Sequence, residues 1–310
     1  MMRNFPRIVG FILLMLTSYG YAWDASRLAT PLVIDDKVIP YPIFTLFFLP
    51  GQSFNVHFKD AKHGGTLTFN GVSDSVGSQA LVVPEVPGIY PLKVVNSVGG
   101  EEANINIVAM VPASEIDKKG YLKGYRIGHY PSKTLKGNEI YLPPEGFVEV
   151  THKNRATRVS PNFVLEQFVS KQSQPYPKYL VLRTDLLLKL ENILAALNKS
   201  GRATDGLVIM SGYRTPWYNE LIGNVPYSRH VWGGASDLYI DENPKDGVMD
   251  DLNGDGKVNR ADAQWLADFI NDMSRRRVFG RRIGGLGVYG ANSAHGPFVH
   301  VDVRGERARW

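Results

Sequence analysis

The apolar residues of this 310-residue chain follow one period in its first third and another in its second half. A single kind of structural layer cannot serve both. From Trp23 to about Pro112 they come as short β-type runs broken by turn residues: Leu32–Ile34, Ile43–Leu49, Phe54–Phe58, Thr66–Phe69, Ala80–Val83, Tyr90–Val95 and Ile105–Val111. Short strands at roughly 8–12-residue spacing, with no helical pattern between them, predict a β-sandwich. From Ser160 the period turns helical. Leu186, Leu187, Leu190, Ile193, Leu194 and Leu197 share one face of a helix predicted over Thr184–Lys199, with Thr184 placed to cap it and Gly201 to end it. Leu207–Met210 reads as a buried strand, Thr215-Pro216 as the start of a second helix, and Gly285–Tyr289 and Phe298–Val303 as late strands. Helices first and strands late make this half α+β rather than a doubly wound sheet.

The predicted organisation is a leader over 1–22, a β-sandwich over 23–112, a mixed connector over 113–158 and an α+β domain over 159–310. The leader has Arg3 and Arg7 at its positive end, an apolar run from Ile8 to Leu16, and Gly20-Tyr21-Ala22 as a small-x-small cleavage site. That run is too short to span a bilayer, and no later stretch approaches the roughly 18 apolar residues a span needs. An exported, periplasmic or extracellular protein without stable membrane insertion is expected. With no cysteine in the chain, disulfides, thiolate ligands and a lipid anchor at the cleavage point are all excluded. The formal charge of +5, falling to +3 if Arg3 and Arg7 leave with the leader, is too weak to argue for nucleic acid; it suits work near an anionic envelope.

The chemistry gathers in the second half. Ser228-Arg229-His230-Val231-Trp232-Gly233-Gly234-Ala235-Ser236-Asp237 offers an imidazole and a carboxylate seven residues apart on a glycine-broken segment. Ala294-His295-Gly296-Pro297-Phe298-Val299-His300-Val301-Asp302 adds two more histidines. Two imidazoles and one carboxylate leave a tetrahedral Zn²⁺ one open position where water can be activated, which points to a hydrolase. His57 and His63 lie in or beside predicted strands and read as surface or structural residues, and His129 and His152, with no metal-type partners nearby, read as structural.

The first of these segments fits Ser-x-His-x-x-Gly-x-Ala-x-Asp in full. Together with Ser160-Pro161-Asn162-Phe163-Val164-Leu165-Glu166-Gln167-Phe168, Ser211-Gly212-Tyr213-Arg214, Phe298-Val299-His300-Val301-Asp302 and the terminal Arg309-Trp310, it resembles the M15 family of zinc D-Ala-D-Ala carboxypeptidases and murein endopeptidases. The resemblance covers about residues 160–310. It implies a hedgehog-like fold, a peptidoglycan stem-peptide substrate, and His230, Asp237 and His300 as zinc ligands. Arg214 matches the arginine that faces the substrate carboxylate or the developing oxyanion. Many relatives carry a glutamate as base three residues before the last ligand, but here that position is Pro297. His295 matches a histidine found near the metal in other branches, which leaves His295 or Asp302 to carry the proton. Asp302, two residues beyond His300 on a predicted strand, faces the same side and can alternatively orient it. In the first region, Pro87-Gly88-Ile89-Tyr90-Pro91-Leu92-Lys93-Val94 resembles the late strands of bacterial immunoglobulin-like modules.

Between the second and third of these positions, Asp251-Leu252-Asn253-Gly254-Asp255-Gly256-Lys257-Val258-Asn259-Arg260-Ala261-Asp262 has EF-hand spacing. Asp251, Asn253, Asp255 and Asp262 supply side-chain oxygens, Lys257 a backbone carbonyl, and Gly256 the sharp turn. An aspartate in the last place, as in dockerin loops, which the stretch resembles, still suits Ca²⁺. A single loop reads as a clamp that orders the insertion beside the zinc site. Two other functions compete with the peptidase reading: a catalytically silent wall-binding module of the same fold, and a calcium-dependent docking scaffold. The sequence does not set the oligomeric state.

Overall fold

A segment whose apolar residues alternate buries one face and must pair laterally to satisfy its backbone, so the first region forms sheets. The computed structural model describes residues 22–310, and the expected leader, apart from Ala22, lies outside them. Ile43–Phe48, Glu102–Ala109, Gly88–Asn96, Gly65–Phe69 and Val72–Ser75 lie side by side in that order. The first pair is parallel and the rest antiparallel. Lys37–Ile39, Leu32–Ile34 and Val56–Phe58 form a second sheet, and Ser53–Phe54 pairs with Leu81–Val82. Phe54 is the hub between them, its ring 5.0 Å from Phe48 and 5.5 Å from Phe69.

Several details differ from the pattern read off the sequence, among them the added strand Lys37–Ile39 and the division of the expected Ile105–Val111 run between two sheets. The expected Phe54–Phe58 strand breaks at Asn55, where the backbone exchanges hydrogen bonds with Asp35 instead of continuing one ladder. Val72–Ser75 is an added edge strand with no buried residue, so it carries no apolar alternation to read.

The region read as a connector supplies Gly146–Val150, which lies between Val111–Pro112 and Lys178–Leu180 in a three-stranded sheet. One continuous buried cluster runs from Leu28 to Val301, spanning both periods of the sequence. The Thr45 hydroxyl donates to the Arg158 carbonyl at 3.1 Å, and the Asn162 side chain donates to Asp24 and to the buried Glu191.

The molecule is α+β, with few helices. Helix α1 (Thr184–Lys199) buries all six of its predicted apolar residues. Thr184 begins it rather than capping it. The cap position is Arg183, whose side chain instead donates to the carbonyls of Trp232 and Ile140. Thr215 does cap α2 (Pro216–Leu221), accepting from the Tyr218 amide at 3.1 Å, with Pro216 in the first turn.

The last sheet runs Val208–Ser211, Ala235–Tyr239, Phe298–Asp302, Gly285–Tyr289, Ala308–Arg309. Helix α3 (Arg260–Arg275) packs on it through Leu266, Ala267, Ile270 and Met273. Behind it, Lys189 of α1 is buried and donates to the Asp302 carbonyl at 2.7 Å, its ammonium 4.9 Å over the Phe279 ring. Burial pulls the Lys189 pKa down to about 8.

Gly233 closes the short 3-10 turn Arg229–Trp232 in the left-handed region, at φ +61°, and a Cβ there would run into the Val181 carbonyl. Both the conformation and the space demand glycine. Gly233→Ala is expected to lower stability by at least about 2 kcal/mol, checked by urea unfolding of the variant against the wild type.

Candidate metal centre

Two adjacent strands and one turn bring His230, Asp237 and His300 together. Asp237 and His300 are directly paired across the Ala235–Tyr239 and Phe298–Asp302 strands, so their side chains leave the same face of the sheet. His230 arrives on the 3-10 turn, which the connector holds from outside: Arg229 donates to the Ile140 carbonyl at 3.0 Å, and the Trp232 indole donates to the Leu142 carbonyl at 2.9 Å. All three side chains are buried, with His230 2 %, Asp237 3 % and His300 6 % exposed.

The hydrogen bonds behind the rings decide what faces inward. His230 Nδ1 lies 2.7 Å from the Gly212 carbonyl, which only accepts, so Nδ1 carries the proton and Nε2 presents a lone pair. His300 Nε2 lies 3.2 Å from an Asp302 carboxylate oxygen, which leaves the lone pair on Nδ1. Those two nitrogens are 3.1 Å apart, and Asp237 Oδ1 lies 3.1 Å from His230 Nε2 and 2.9 Å from His300 Nδ1. Three electron pairs so close, with no proton left to share when both rings are neutral, repel one another unless a cation sits among them. Ligands about 2.0–2.1 Å from a tetrahedral Zn²⁺ stand about 3.3 Å apart. The buried His230–Asp237–His300 group can therefore hold a metal ion, and among the described residues it is the one such group of three or more acidic, histidine or cysteine side chains.

The surroundings tune the set. Desolvation opposes the charge on Asp237, yet both imidazoles outweigh it and hold the carboxyl well below the usual range. Burial, aided by the Arg214 cation, lowers the His230 pKa despite Asp237. Burial also works against a charged His300, but bonds to Asp237 and Asp302 overcome it and raise its pKa, so His300 takes a proton first.

The second oxygen of Asp237 accepts from Arg214 Nη2, while Arg214 Nε donates to the Ser211 hydroxyl at 2.9 Å. Arg214 is 12 % exposed. Asp302 is fully buried and accepts from the Gly285 amide at 2.8 Å and from Arg304 as well as from His300, with its pKa driven far down despite burial. No hydrogen bond joins His295 to the trio. Its Nδ1 donates to the Gly296 carbonyl at 2.8 Å, its Nε2 faces the Asn292 amide, and its ring meets Phe298 edge-on.

Two participants escaped the sequence reading. The Gly212 carbonyl sets the His230 tautomer, and a Cβ at Gly212 would lie 2.7 Å from the Phe168 Cα, so the glycine in Ser-Gly-Tyr-Arg was its only trace. Trp310, read simply as part of a terminal motif, lies with its ring 5.2 Å from His300 and is 47 % exposed at the edge of the centre.

The acidic loop is pre-shaped in a different way. Asp251 accepts from the amides of Gly254, Asp255 and Gly256; Asn253 accepts from Asp255, and Asp255 from Lys257. Gly254 and Gly256 have φ of +78° and +80°. Asp262 is buried, accepting from Leu252 and Asn253 and, as the first-turn partner of the cap residue Asn259, from the Asn259 amide. The loop's three carboxylates do not close to the spacing of the histidine–aspartate trio.

No family model and no curated protein matches the chain.

Metal binding must displace a proton from His300 once that ring is charged. Because its pKa is raised, metal affinity is expected to begin falling at a pH above the ordinary histidine range and to keep falling as acid is added. Competition with a chromophoric chelator across pH measures this. Asp302→Asn, which removes the charge behind His300, is expected to weaken metal binding about 10–100-fold in the same assay.

Proposed function

We propose that the protein is an exported zinc peptidase that cleaves the stem peptides or cross-links of peptidoglycan, as a carboxypeptidase or an endopeptidase. The observation that carries this reading is the convergence of three lone pairs, each aimed by a partner on its far side. Such a set suits Zn²⁺ with a position left open for chemistry. When bound, zinc supplies Lewis-acid polarisation of a carbonyl and a lowered pKa for water.

The chain's own groups do the rest. Arg214, held by Ser211 and by the outer oxygen of Asp237, stabilises the negative charge that develops on the scissile carbonyl oxygen. Asp302 fixes the ring of His300 and raises its basicity; a buried carboxylate so saturated with donors is a poor base at neutral pH. That leaves the role of proton carrier to His295, part-exposed in the loop before the last strand, on the resemblance alone, since no hydrogen bond joins it to the trio. The choice of a peptidoglycan substrate rests on the resemblance of the ordered motifs. Export is supported by the leader pattern, and no described helix is long and apolar enough to cross a membrane.

Calcium belongs to the same reading. Asp251, Asn253, Asp255, the Lys257 carbonyl and Asp262 form the site, and the loop leads directly into α3, which packs on the strand carrying His300. Calcium there orders the wall of the zinc centre from the side of the sheet.

Digestion of purified peptidoglycan by the zinc-loaded protein is expected to yield shortened stems or resolved cross-links, identified by mass analysis, and His230→Ala is expected to give none. Unchanged muropeptides with the zinc-loaded wild type would favour the silent wall-binding module. Calcium at a hundredfold excess over its Kd is expected to add about 2.7 kcal/mol of stability, read as a rise in Tm that Asp251→Ala removes. Activity that survives calcium removal with zinc retained would sink the clamp.

A further inference from the structure

The loop after Phe168 runs alongside the segment that bears Arg214 and is tied to it at two points. The Tyr213 amide donates to the Phe168 carbonyl at 2.9 Å, and the Thr215 hydroxyl donates to Gln172 Oε1 at 2.6 Å. Between these ties lie Val169, Ser170 and Lys171 on one side and Arg214 on the other. Ser170 and Gln172 are buried; Gln172 also donates to the Arg126 carbonyl at 3.0 Å, and Lys178 reaches the carbonyls of both Ser170 and Gln172. The backbone on each side of Lys171 is therefore fixed, while Lys171 itself is exposed.

The charged groups that Lys171 senses are Asp237 and Arg214. No carboxylate lies within ion-pair distance of it among the described residues, and Asp237 is already matched by Arg214. Protein around the ammonium desolvates it enough to lower its pKa, although its surface is open to water. A cation on an anchored stretch of backbone, partly stripped of water and without a counter-charge is prepared for an anion that arrives with the substrate.

We propose that Lys171 is a specificity-determining residue that binds a carboxylate of the peptide whose scissile bond lies at the metal centre. The proposal rests on the peptidase reading for its substrate class. The carboxylate is either the free C-terminus of the peptide or a side-chain carboxylate beside the scissile bond. Lys171 anchors it while Arg214 attends to the carbonyl, so the two cations divide the work.

The test uses three synthetic stem peptides with the full zinc-loaded chain. The first is diacetyl-L-Lys-D-Ala-D-Ala with a free C-terminus and the second is its C-terminal amide. The third is the same amide with diaminopimelate in place of lysine. In the wild type, kcat/KM for the preferred carboxylate-bearing peptide is expected to exceed that of the plain amide on the order of tenfold, the effect of one charge-assisted hydrogen bond. Lys171→Gln is expected to bring that ratio close to one, mainly through KM, and Lys171→Arg to keep most of it. Zinc content and Tm measured on each variant show that fold and metal are intact. Preference for the first peptide assigns the terminal carboxylate, and preference for the third assigns the side-chain one. A ratio that is the same in wild type and Lys171→Gln overturns the proposal. If the wild type cleaves none of the peptides, the peptidase reading fails by itself. Calorimetric binding of the same peptides then decides the carboxylate subsite: tighter binding of an acid that Lys171→Gln abolishes upholds it, and equal binding overturns it.

Discussion

The hydrogen bond from His230 Nδ1 to the Gly212 carbonyl, 2.7 Å long, holds the proton on the outer nitrogen of the ring. With the other tautomer, Nε2 would donate to Asp237, and the pair would be an ordinary buried hydrogen bond to a carboxylate, with no His230 lone pair left for a metal. With this one, Nε2 is bare, and the bond from His300 to Asp302 leaves the second ring bare on its inner side as well. Repulsion among three electron pairs is a local instability that only a cation relieves, so the outer hydrogen bonds determine the chemistry of the inner face.

Much of the surrounding structure keeps those outer bonds in place. Gly212 is pressed against the Phe168 backbone, which the Tyr213 amide also grips. The turn bearing His230 depends on Gly233 in a left-handed conformation and on the connector, through Arg229 and Trp232. The strand bearing His300 is backed by α1, where Lys189 donates to the Asp302 carbonyl, and is flanked by α3. A buried lysine with its pKa lowered to about 8 is tolerated there because its ammonium has both a carbonyl and an aromatic face.

The two metal-type motifs differ in how they are built. The acidic loop is local: its carboxylates accept amides from residues two to five positions on, or three to ten back, so twelve consecutive residues contain nearly all of its logic. The histidine–aspartate centre is assembled from positions as far as 70 residues apart and is complete only when the sheet pairs. Arg214 shows the same dependence. Its place in Ser-Gly-Tyr-Arg marked it as important, but its bond to the outer oxygen of Asp237 comes from the register of Ser211 against Asp237.

By itself the sequence determined the change from β-type to helical period, the buried face of α1, the start of α2 and the spacing of the acidic loop. All of these are set by interactions within one or two turns of chain. It also determined which residue types were available for a metal, because His230, Asp237 and His300 stand in recognisable local patterns. Tertiary structure alone decided which nitrogen of each ring faces inward and that Asp302 is saturated behind His300. It also decided that no hydrogen bond joins His295 to the trio and that the apolar core continues from Leu28 to Val301. The physical reason is the same throughout: a tautomer, a saturated carboxylate and an unpaired lysine are properties of what lies across the fold, and no pattern along the chain encodes a neighbour that arrives from 70 residues away.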